Sequence, residues 1–287
     1  MNNPELKRYV MSDQELRAVQ MTELEMLIEI DRICKLMGIR YNIEAGTALG
    51  AVRHGGFIPW DDDADVIFLR PEYEKFRAAC VTELDKSRFY FQDYRSTQGY
   101  RWGHGKLRRK DTSFIRLNQE YMPYEQGICI DLFPYDRVPD SKLLQPLHNF
   151  ACFLFRKATY SKVGRVSSKG FVKLCYGLLF RIPEIRLYRA LDRFIARNNI
   201  KDNTKNVRML TYPLPKNGRY FGYVRGWFEE LTEIEFEGHM FPIPKDYNGY
   251  LSFKYGDYMT LPDEKDRWIH PISELKLLEK NNSTASK

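Results

Sequence analysis

The chain has 287 residues, of which 43% are hydrophobic and 29% are charged, so it can bury a sizeable core and is not a disordered segment. Its 45 Lys and Arg against 38 Asp and Glu give a net charge of +7, which favours anionic partners: nucleotides, nucleic acid or acidic membrane surfaces. The five scattered cysteines, the absence of a signal-peptide layout and the lack of an apolar run near ~20 residues predict a reduced, cytoplasmic chain rather than a disulfide scaffold or a membrane-spanning protein.

A long amphipathic helix is predicted first. Ser12 and Glu15 form a capping box, and apolar residues then recur at helical spacing as far as Gly38. A strand is predicted at residues 39–43, and it needs cover from a helix. We therefore interpret the first helix as a packing helix.

A polar turn at Gly46 and Thr47 leads into a short predicted helix that ends near residues 54–56. Backbone amides at a helix N-terminus favour a phosphate, and glycine allows the close approach of a ligand. The cations Arg53 and His54 near the end of this helix are suited to a diphosphate. Each of these features alone is equally typical of a surface turn.

Four aspartates occur within five residues, directly before an apolar run at residues 66–69. Because side chains alternate along a strand, Asp61, Asp63 and Asp65 are predicted to share one face. Carboxylates crowded together repel, and hard cations such as Mg²⁺ or Mn²⁺ are the usual partners of all-oxygen sites. The alternative is a solvated acidic loop. An EF-hand is excluded because its required glycine is Val66 here.

The next segment is predicted to hold a helix and three strands. Pro71 is placed at the first turn of a helix that runs to Leu84. The strands are predicted at residues 89–94, 104–109 and 113–117. The basic run at residues 106–110 is typical of a solvated sheet edge.

A second apolar strand, at residues 127–136, carries Asp131 in its middle. Burying an unpaired carboxylate costs several kcal/mol, so Asp131 requires a cation or a hydrogen-bonded partner. We predict that Asp131 completes a metal site with the first aspartates. A structural role as a cap or an ion-pair partner is the alternative.

The remainder divides into a helical part and a strand-rich part. Residues 141–206 are predicted to be helical, basic and aromatic, and to form either a helical insert packed on the core or a surface for an anionic membrane. Short strands follow from residue 209, and the polar tail at residues 280–287 is expected to be frayed. His239 and His270 have no cysteine pair nearby and are interpreted as turn residues rather than ligands.

The segment GTALGAVRHGGFIPWDDDADV, residues 46–66, resembles the signature of the LicD family, which includes phosphocholine transferases and the more distant fukutin-type phosphosugar transferases. The segment IDLFP around Asp131 resembles the second motif of the family, and residues 251–262 resemble its closing motif. Together the resemblance covers most of residues 21–139 and 235–271. It implies an α/β (α+β) fold with a nucleotidyltransferase-like mixed sheet flanked by helices and with a helical insert.

The resemblance also implies roles for individual residues. Mg²⁺ or Mn²⁺ is expected to be bound by Asp61, Asp63, Asp65 and Asp131. The catalytic residues are expected to be Asp63, Asp65 and Asp131. The donor substrate is expected to contact Gly46, Thr47, Arg53, His54 and Lys106. If the donor carries choline, an aromatic cage suits its quaternary ammonium, and the candidates are Tyr121, Tyr124 and Tyr135.

The predicted function is therefore transfer of phosphocholine, or a similar phospho-substituent, from CDP-choline or a related CDP-linked donor, with release of CMP. The acceptor is a hydroxyl of a cell-surface glycan, such as lipopolysaccharide or teichoic acid, or of a lipid-linked precursor. We expect one catalytic domain over residues 1–287, with a core at 12–140 and 207–275 and an insert at about 141–206. The expected location is the cytoplasm and the inner face of the membrane.

Two other classes of protein compete with this prediction. A nucleotidyltransferase acting on a small molecule or RNA uses the same kind of metal site but releases diphosphate. A non-catalytic binding module is disfavoured because all four acids are present. No nucleic-acid partner is expected for the leading prediction.

Overall fold

The computed structural model describes residues 8–200, 203–213 and 221–279, so the predicted frayed tail at 280–287 lies outside the described residues. Within these ranges the helices are α1 (Asp13–Met37), α2 (Ala45–His54), α3 (Arg70–Ala79), α4 (Gln145–Ser167), α5 (Gly170–Phe180), α6 (Glu184–Asn199) and α7 (Tyr247–Tyr255). The strands are β1 (Asn42–Ile43), β2 (Ala64–Leu69), β3 (Phe89–Gln92), β4 (Gly105–Arg109), β5 (Ser113–Arg116), β6 (Cys129–Arg137), β7 (Asn206–Arg208), β8 (Tyr223–Val224), β9 (Leu231–Phe236), β10 (His239–Pro244) and β11 (Ile272–Lys276).

Helix α1 begins and ends where the sequence predicts. The Ser12 hydroxyl accepts from the Glu15 amide at 3.3 Å, and the Glu15 carboxylate accepts from the Ser12 amide at 2.8 Å. Gly38 ends the helix with a φ of 63°, in the left-handed region that favours glycine. The apolar stripe between these caps is buried, which confirms α1 as a packing helix.

The central sheet is mixed, with strand order β1-β2-β6-β4-β3. Strands β2 and β6 are parallel, and the other pairs are antiparallel, including β7, which joins the end of β6. In this register Asp65 of β2 lies opposite Asp131 of β6, and Asp131 lies opposite Lys106 of β4. The predicted α/β class with a mixed sheet and flanking helices is confirmed, and three charged residues form a row across its middle.

Three local predictions are wrong. Strand β2 begins at Ala64, so Asp61 and Asp63 lie in the preceding loop and not on the strand face. Asp61 instead closes a turn, in which its amide donates to the Ile58 carbonyl at 2.9 Å. Helix α3 ends at Ala79, where a series of turns replaces the last predicted residues. Strand β1 is limited to two residues.

The basic run of β4 is not a solvated edge, because β4 lies between β6 and β3. The side chains of Lys106 and Arg108 are buried. Arg108 is satisfied inside the protein by the Gln92 side chain at 2.6 Å and the Gly127 carbonyl at 2.7 Å. Burial of these cations follows from sheet order, which local composition does not encode.

The helices α4 to α6 form the predicted helical insert and have a small core of their own beside the end of β6. This core consists of Val138, Cys152, Tyr188, Leu191, Ile195 and Leu210. Helix α5 buries only Tyr176 and leaves most of its apolar residues exposed. Among the described helices, none has both the length and the apolar character needed to cross a membrane.

Candidate active site

The N-terminus of α2 holds the acidic segment in place. The Thr47 hydroxyl accepts from the Asp65 amide at 2.9 Å. A Cβ on Gly46 would overlap the Asp61 carboxylate oxygen Oδ2 and lie 3.4 Å from Asp61 Cγ. Ala45 has a φ of 48°, a strained value for a residue with a side chain. The glycine and threonine of this turn therefore contact the acids directly.

Asp61 and Asp65 are partly buried, and no cationic side chain among the described residues lies close to either carboxylate. Burial raises the pKa of both carboxyl groups well above the usual range, and the neighbouring charge of Asp63 raises both further. Asp65 has only the more distant charge of Lys254 to offset this, and its Oδ1 has no hydrogen-bond partner. The charge of these acids is therefore largely uncompensated by the protein.

Glu23 of α1 belongs to the same cluster and was missed by the sequence analysis. It is 2% exposed, and its Oε2 has no hydrogen-bond partner. Gln20, one helical turn earlier, donates to the Asp61 carbonyl at 2.9 Å, which places this face of α1 against the acidic loop. Burial raises the pKa of Glu23 well above its usual range, and Asp63 adds to the effect. An acid within the apolar stripe of α1 was the available signal.

Asp131 lies directly beside Asp65 but has a different environment. Its Oδ1 accepts from His104 Nε2 at 2.9 Å and from Lys106 Nζ, and Arg116 lies 3.9 Å from its Oδ2. Burial opposes ionisation, but Lys106 and His104 hold the pKa of Asp131 well below its usual range. Asp131 is therefore ionised and already paired by protein cations and donors.

The interpretation of His270 as an ordinary turn residue is wrong. The Asp62 carboxylate, 2% exposed, accepts from the His270 amide at 3.0 Å and lies 3.0 Å from its ring Nδ1. The same Nδ1 lies 3.7 Å from Asp63 Oδ2. In the part of the chain that the structure describes, Asp62, Asp63 and His270 have ligand atoms close enough to share a metal ion. No local pattern could join positions 208 residues apart.

Of the other predicted substrate-binding residues, Lys106 lies in the acidic cluster, whereas Arg53 and His54 are not gathered with Gly46 and Thr47. Arg53 donates to the Tyr258 carbonyl at 2.8 Å, and His54 is exposed at the end of α2. Both lie about 10–12 Å along the helix from Gly46, at ~1.5 Å per residue. Lys106 is bonded to Asp131. Their binding of a donor stays a prediction.

Two cavities lie beside the acidic cluster and adjoin each other at Met209, Tyr212 and Pro213. The first, of about 420 Å³, we name the Asp65 lobe; its lining includes Glu44, Ala45, Asp65, Tyr135, Tyr223 and Tyr255. The second, of about 470 Å³, we name the His270 lobe; its lining includes Trp102, His104, Arg116, Tyr160, Trp268 and His270. Of the three tyrosines suggested for an aromatic cage, Tyr135 lines the Asp65 lobe, whereas Tyr121 bonds to the Lys162 carbonyl and Tyr124 to Trp102.

The Asp65 lobe is closed on one side by an ion pair that the sequence did not reveal. Glu44, 2% exposed, accepts from Lys254 Nζ at 2.8 Å and from the Tyr135 hydroxyl at 2.7 Å. Lys254 belongs to α7 and to the closing motif at residues 251–262, whereas Glu44 directly precedes α2. The wall of the Asp65 lobe is therefore built from two segments that are 210 residues apart along the chain.

The acidic cluster fits a hard divalent cation. Glu23 is buried and Asp61 and Asp65 are half-buried, and none of the three carboxyl groups has a close cationic partner among the described residues. The buried atoms Asp65 Oδ1 and Glu23 Oε2 lack hydrogen-bond partners. Carboxylate oxygens are the ligands that Mg²⁺ and Mn²⁺ prefer. A bound cation would lower the cost of ionising all of these groups together.

Comparison with known proteins gives a consistent picture. Residues 38–148 match the family model described as LicD/FKTN/FKRP, nucleotidyltransferase domain. The chain is 29% identical over 279 residues to the lipopolysaccharide cholinephosphotransferase LicD of Haemophilus influenzae. The matched region covers 92% of this chain and 98% of that protein. Uncharacterized proteins of Rickettsia typhi and Rickettsia prowazekii are 35% and 33% identical over 66 residues, covering 23% of this chain and 20% and 23% of theirs.

Proposed function

Because the chain belongs to the LicD family of phosphotransferases, we propose that it moves phosphocholine from CDP-choline to a hydroxyl of a cell-surface glycan, with release of CMP. The observation that carries this proposal is a cluster of uncompensated acids beside two adjoining cavities, one lined by Asp65 and the other by His104 and His270, which bond to Asp131 and Asp62. Two cavities at one charged centre suit a reaction between two substrates. The relative from Haemophilus influenzae, matched along nearly its whole length, supports choline as the substituent and a lipopolysaccharide glycan as the acceptor.

The cluster would hold Mg²⁺ or Mn²⁺ through Asp61, Asp63 and Asp65. Asp131 has Oδ2 left for the same purpose, because its Oδ1 accepts from both His104 and Lys106. When bound, the cation supplies positive charge to the donor diphosphate and to the departing CMP.

The residues of the chain itself provide positioning and proton transfer. The N-terminus of α2 lies at the Asp65 lobe, where its amides favour a phosphate of the donor. An acid must also accept the proton of the acceptor hydroxyl. Asp131 is a weak proton acceptor because Lys106 and His104 keep its pKa low. We therefore assign the proton-accepting role to Asp63, which lies beside His270.

The charge and the exposed apolar side chains of the helical insert support contact with an anionic membrane surface, where a lipid-linked acceptor would be found. Residues 141–200 contain 12 Lys and Arg against two acidic residues, a net charge of +10, whereas the whole chain has +7. Large apolar side chains are exposed beside these cations; they include Leu143, Leu147, Phe150, Phe171 and Leu174. A basic surface with exposed apolar side chains is typical of proteins that bind anionic membranes peripherally.

The proposal is tested by identifying the nucleotide that the protein releases. We expect CMP from CDP-choline in the presence of Mg²⁺, and no diphosphate from CTP. Release of diphosphate from CTP with an acceptor would instead identify a nucleotidyltransferase, and no turnover of either compound or of other CDP-linked donors would identify a binding module.

Substitution of one acid makes this test specific. Asp65→Asn should reduce CMP release by several orders of magnitude while the protein still folds. Asp111→Asn is the matched control, since Asp111 is exposed in a turn with a φ of 61° that asparagine tolerates. Near-normal turnover by the Asp65 variant would refute the proposed metal site.

A further inference from the structure

The two lobes differ in charge. No Asp or Glu side chain lines the His270 lobe in the part of the chain that the structure describes, but Arg116, Arg156 and Lys157 do. In the Asp65 lobe, by contrast, the acids Glu44 and Asp65 balance two cations. The His270 lobe is therefore the cationic side of the site.

The cations contributed by the insert have no acidic partner. Arg156 and Lys157 form no ion pair with any residue that the structure describes. Lys157 Nζ donates to the Tyr176 hydroxyl at 3.1 Å, and the Arg156 guanidinium lies 5.6 Å from the Phe153 ring. Arginine and lysine that line a cavity without a protein anion are suited to a phosphate or carboxylate of a ligand.

The same lobe has a series of aromatic side chains. The Trp102 and Tyr160 rings are 6.0 Å apart, and the Tyr160 and Tyr176 rings are 5.9 Å apart. Trp268 stands at the rim with 68% of its surface exposed. Rings of this kind offer apolar faces, and their polar tips reach hydroxyl groups, which suits the mixed surface of a sugar.

The floor of the His270 lobe leads directly to the acids. His104 bonds to Asp131, and His270 bonds to Asp62. Arg116 lies between the lobe and the Asp131 carboxylate. A hydroxyl bound in this lobe therefore lies beside residues that contact the acidic cluster, whereas the N-terminus of α2 lines the other lobe.

We infer that the His270 lobe binds the acceptor, and that the acceptor is an anionic sugar with a phosphate or carboxylate near the reacting hydroxyl. The inference rests on the proposed transferase function, because it assigns one of the two substrates. Since Arg156 and Lys157 belong to α4, the helical insert selects the acceptor, while the core and the Asp65 lobe hold the donor.

The experiment uses the full chain, CDP-choline and water-soluble acceptors, so that membrane contact plays no part. One disaccharide is supplied in three forms: phosphorylated, with a uronic acid, and neutral. The double variant Arg156→Ala/Lys157→Ala should raise the KM for the preferred charged form by about tenfold to a hundredfold, because charge-assisted hydrogen bonds are lost. The KM for the neutral form and the KM for CDP-choline should stay unchanged. The phosphorylated and uronic forms identify which anion the lobe prefers.

The control is Lys173→Ala, which removes an exposed cation of α5 outside both lobes and should leave every KM unchanged. A higher KM for CDP-choline in the double variant, with the acceptor KM unchanged, would overturn the inference by placing the donor in the His270 lobe. Equal KM values for charged and neutral acceptors in the wild-type protein would overturn it as well.

Failure of the proposed function would be recognised separately. In that case the wild-type protein releases no CMP from CDP-choline with any acceptor. Calorimetric titration with the phosphorylated and uronic disaccharides then tests the lobe by itself. Binding that the double variant loses and Lys173→Ala retains would support an anionic-sugar site, and no binding to the wild-type protein would refute it.

Discussion

Gly46→Ala tests whether the turn before α2 positions the acidic cluster. The new Cβ would overlap Asp61 Oδ2, and an ordinary contact of at least 3.4 Å requires the carboxylate to retreat by about 1 Å. No charged group of the cluster is removed. The substitution therefore separates the position of Asp61 from its chemistry.

The expected effect on stability is much smaller than the effect on turnover. Alanine stabilises a helix relative to glycine by about 1 kcal/mol, which offsets part of the local strain. A displacement of about 1 Å at a reacting centre costs roughly a hundredfold in rate, equivalent to about 2.7 kcal/mol in the activation free energy. We therefore expect near-normal thermal stability with a loss of about a hundredfold in CMP release from CDP-choline.

The measurements are CMP release, Mn²⁺ affinity by calorimetry and thermal unfolding. Gly177→Ala in α5 is the control, because a Cβ there meets nothing within 4 Å. It should keep full turnover and gain up to about 1 kcal/mol in the free energy of unfolding. Turnover of the Gly46 variant within threefold of the wild-type protein would refute the reasoning.

Three further predictions concern pH, the core and the membrane. Without divalent cations, the melting temperature should fall as the pH rises above about 4, because burial raises the pKa values of Asp61, Asp65 and Glu23 in the folded state. The stability that the protonated acids contribute is complete below their unfolded pKa of about 4 and is lost as the pH rises through the folded pKa. Added Mg²⁺ should remove this fall, and a melting temperature independent of pH would contradict it. Arg70→Met should destabilise the fold by about 3–5 kcal/mol in urea unfolding, because it leaves Asp136 buried without the two 2.7 Å bonds from Arg70. The exposed pair Lys265–Asp263 gives a control, Lys265→Met, expected below about 1 kcal/mol. The protein should sediment with phosphatidylglycerol vesicles but not with phosphatidylcholine vesicles, and Lys169→Glu/Arg181→Glu, at two exposed cations, should weaken this binding. Equal binding to both vesicles would exclude charge attraction.

The sequence predicted those parts of the fold that local patterns determine. The capping box and apolar stripe of α1 depend on residues within a few turns of one another, and an acid in the middle of an apolar strand indicated a partner for Asp131. The identity of that partner was not predictable, because Lys106 meets Asp131 only through the register of β4 on β6. The prediction that Asp61, Asp63 and Asp65 share one face of a strand is wrong, because Asp61 closes a turn and the strand begins only at Ala64.

The residues that were missed lie far away along the chain or appear ordinary in their own segment. His270 reaches Asp62 across 208 residues, and His104 reaches Asp131 across 27. A lone histidine at either position has no spacing that indicates a ligand. Glu23 differs, since a charged residue at a buried helical position is visible in the sequence and should be interpreted as a candidate for a site whenever acids are expected nearby.

The contrast between Asp65 and Asp131 is the strongest argument that the cluster has a function beyond stability. The two carboxylates lie side by side on parallel strands, so each raises the cost of ionising the other. The fold provides Asp131 with Lys106, His104 and Arg116, but leaves Asp65, Asp61 and Glu23 without close cations among the described residues. A purely structural cluster would gain stability by pairing or replacing these acids, since withdrawing an unpaired carboxyl group from water is costly. Retaining three unpaired acids beside a fourth that is paired with cations is the arrangement that a site for an incoming cation requires, because the uncompensated acids gain most from its binding.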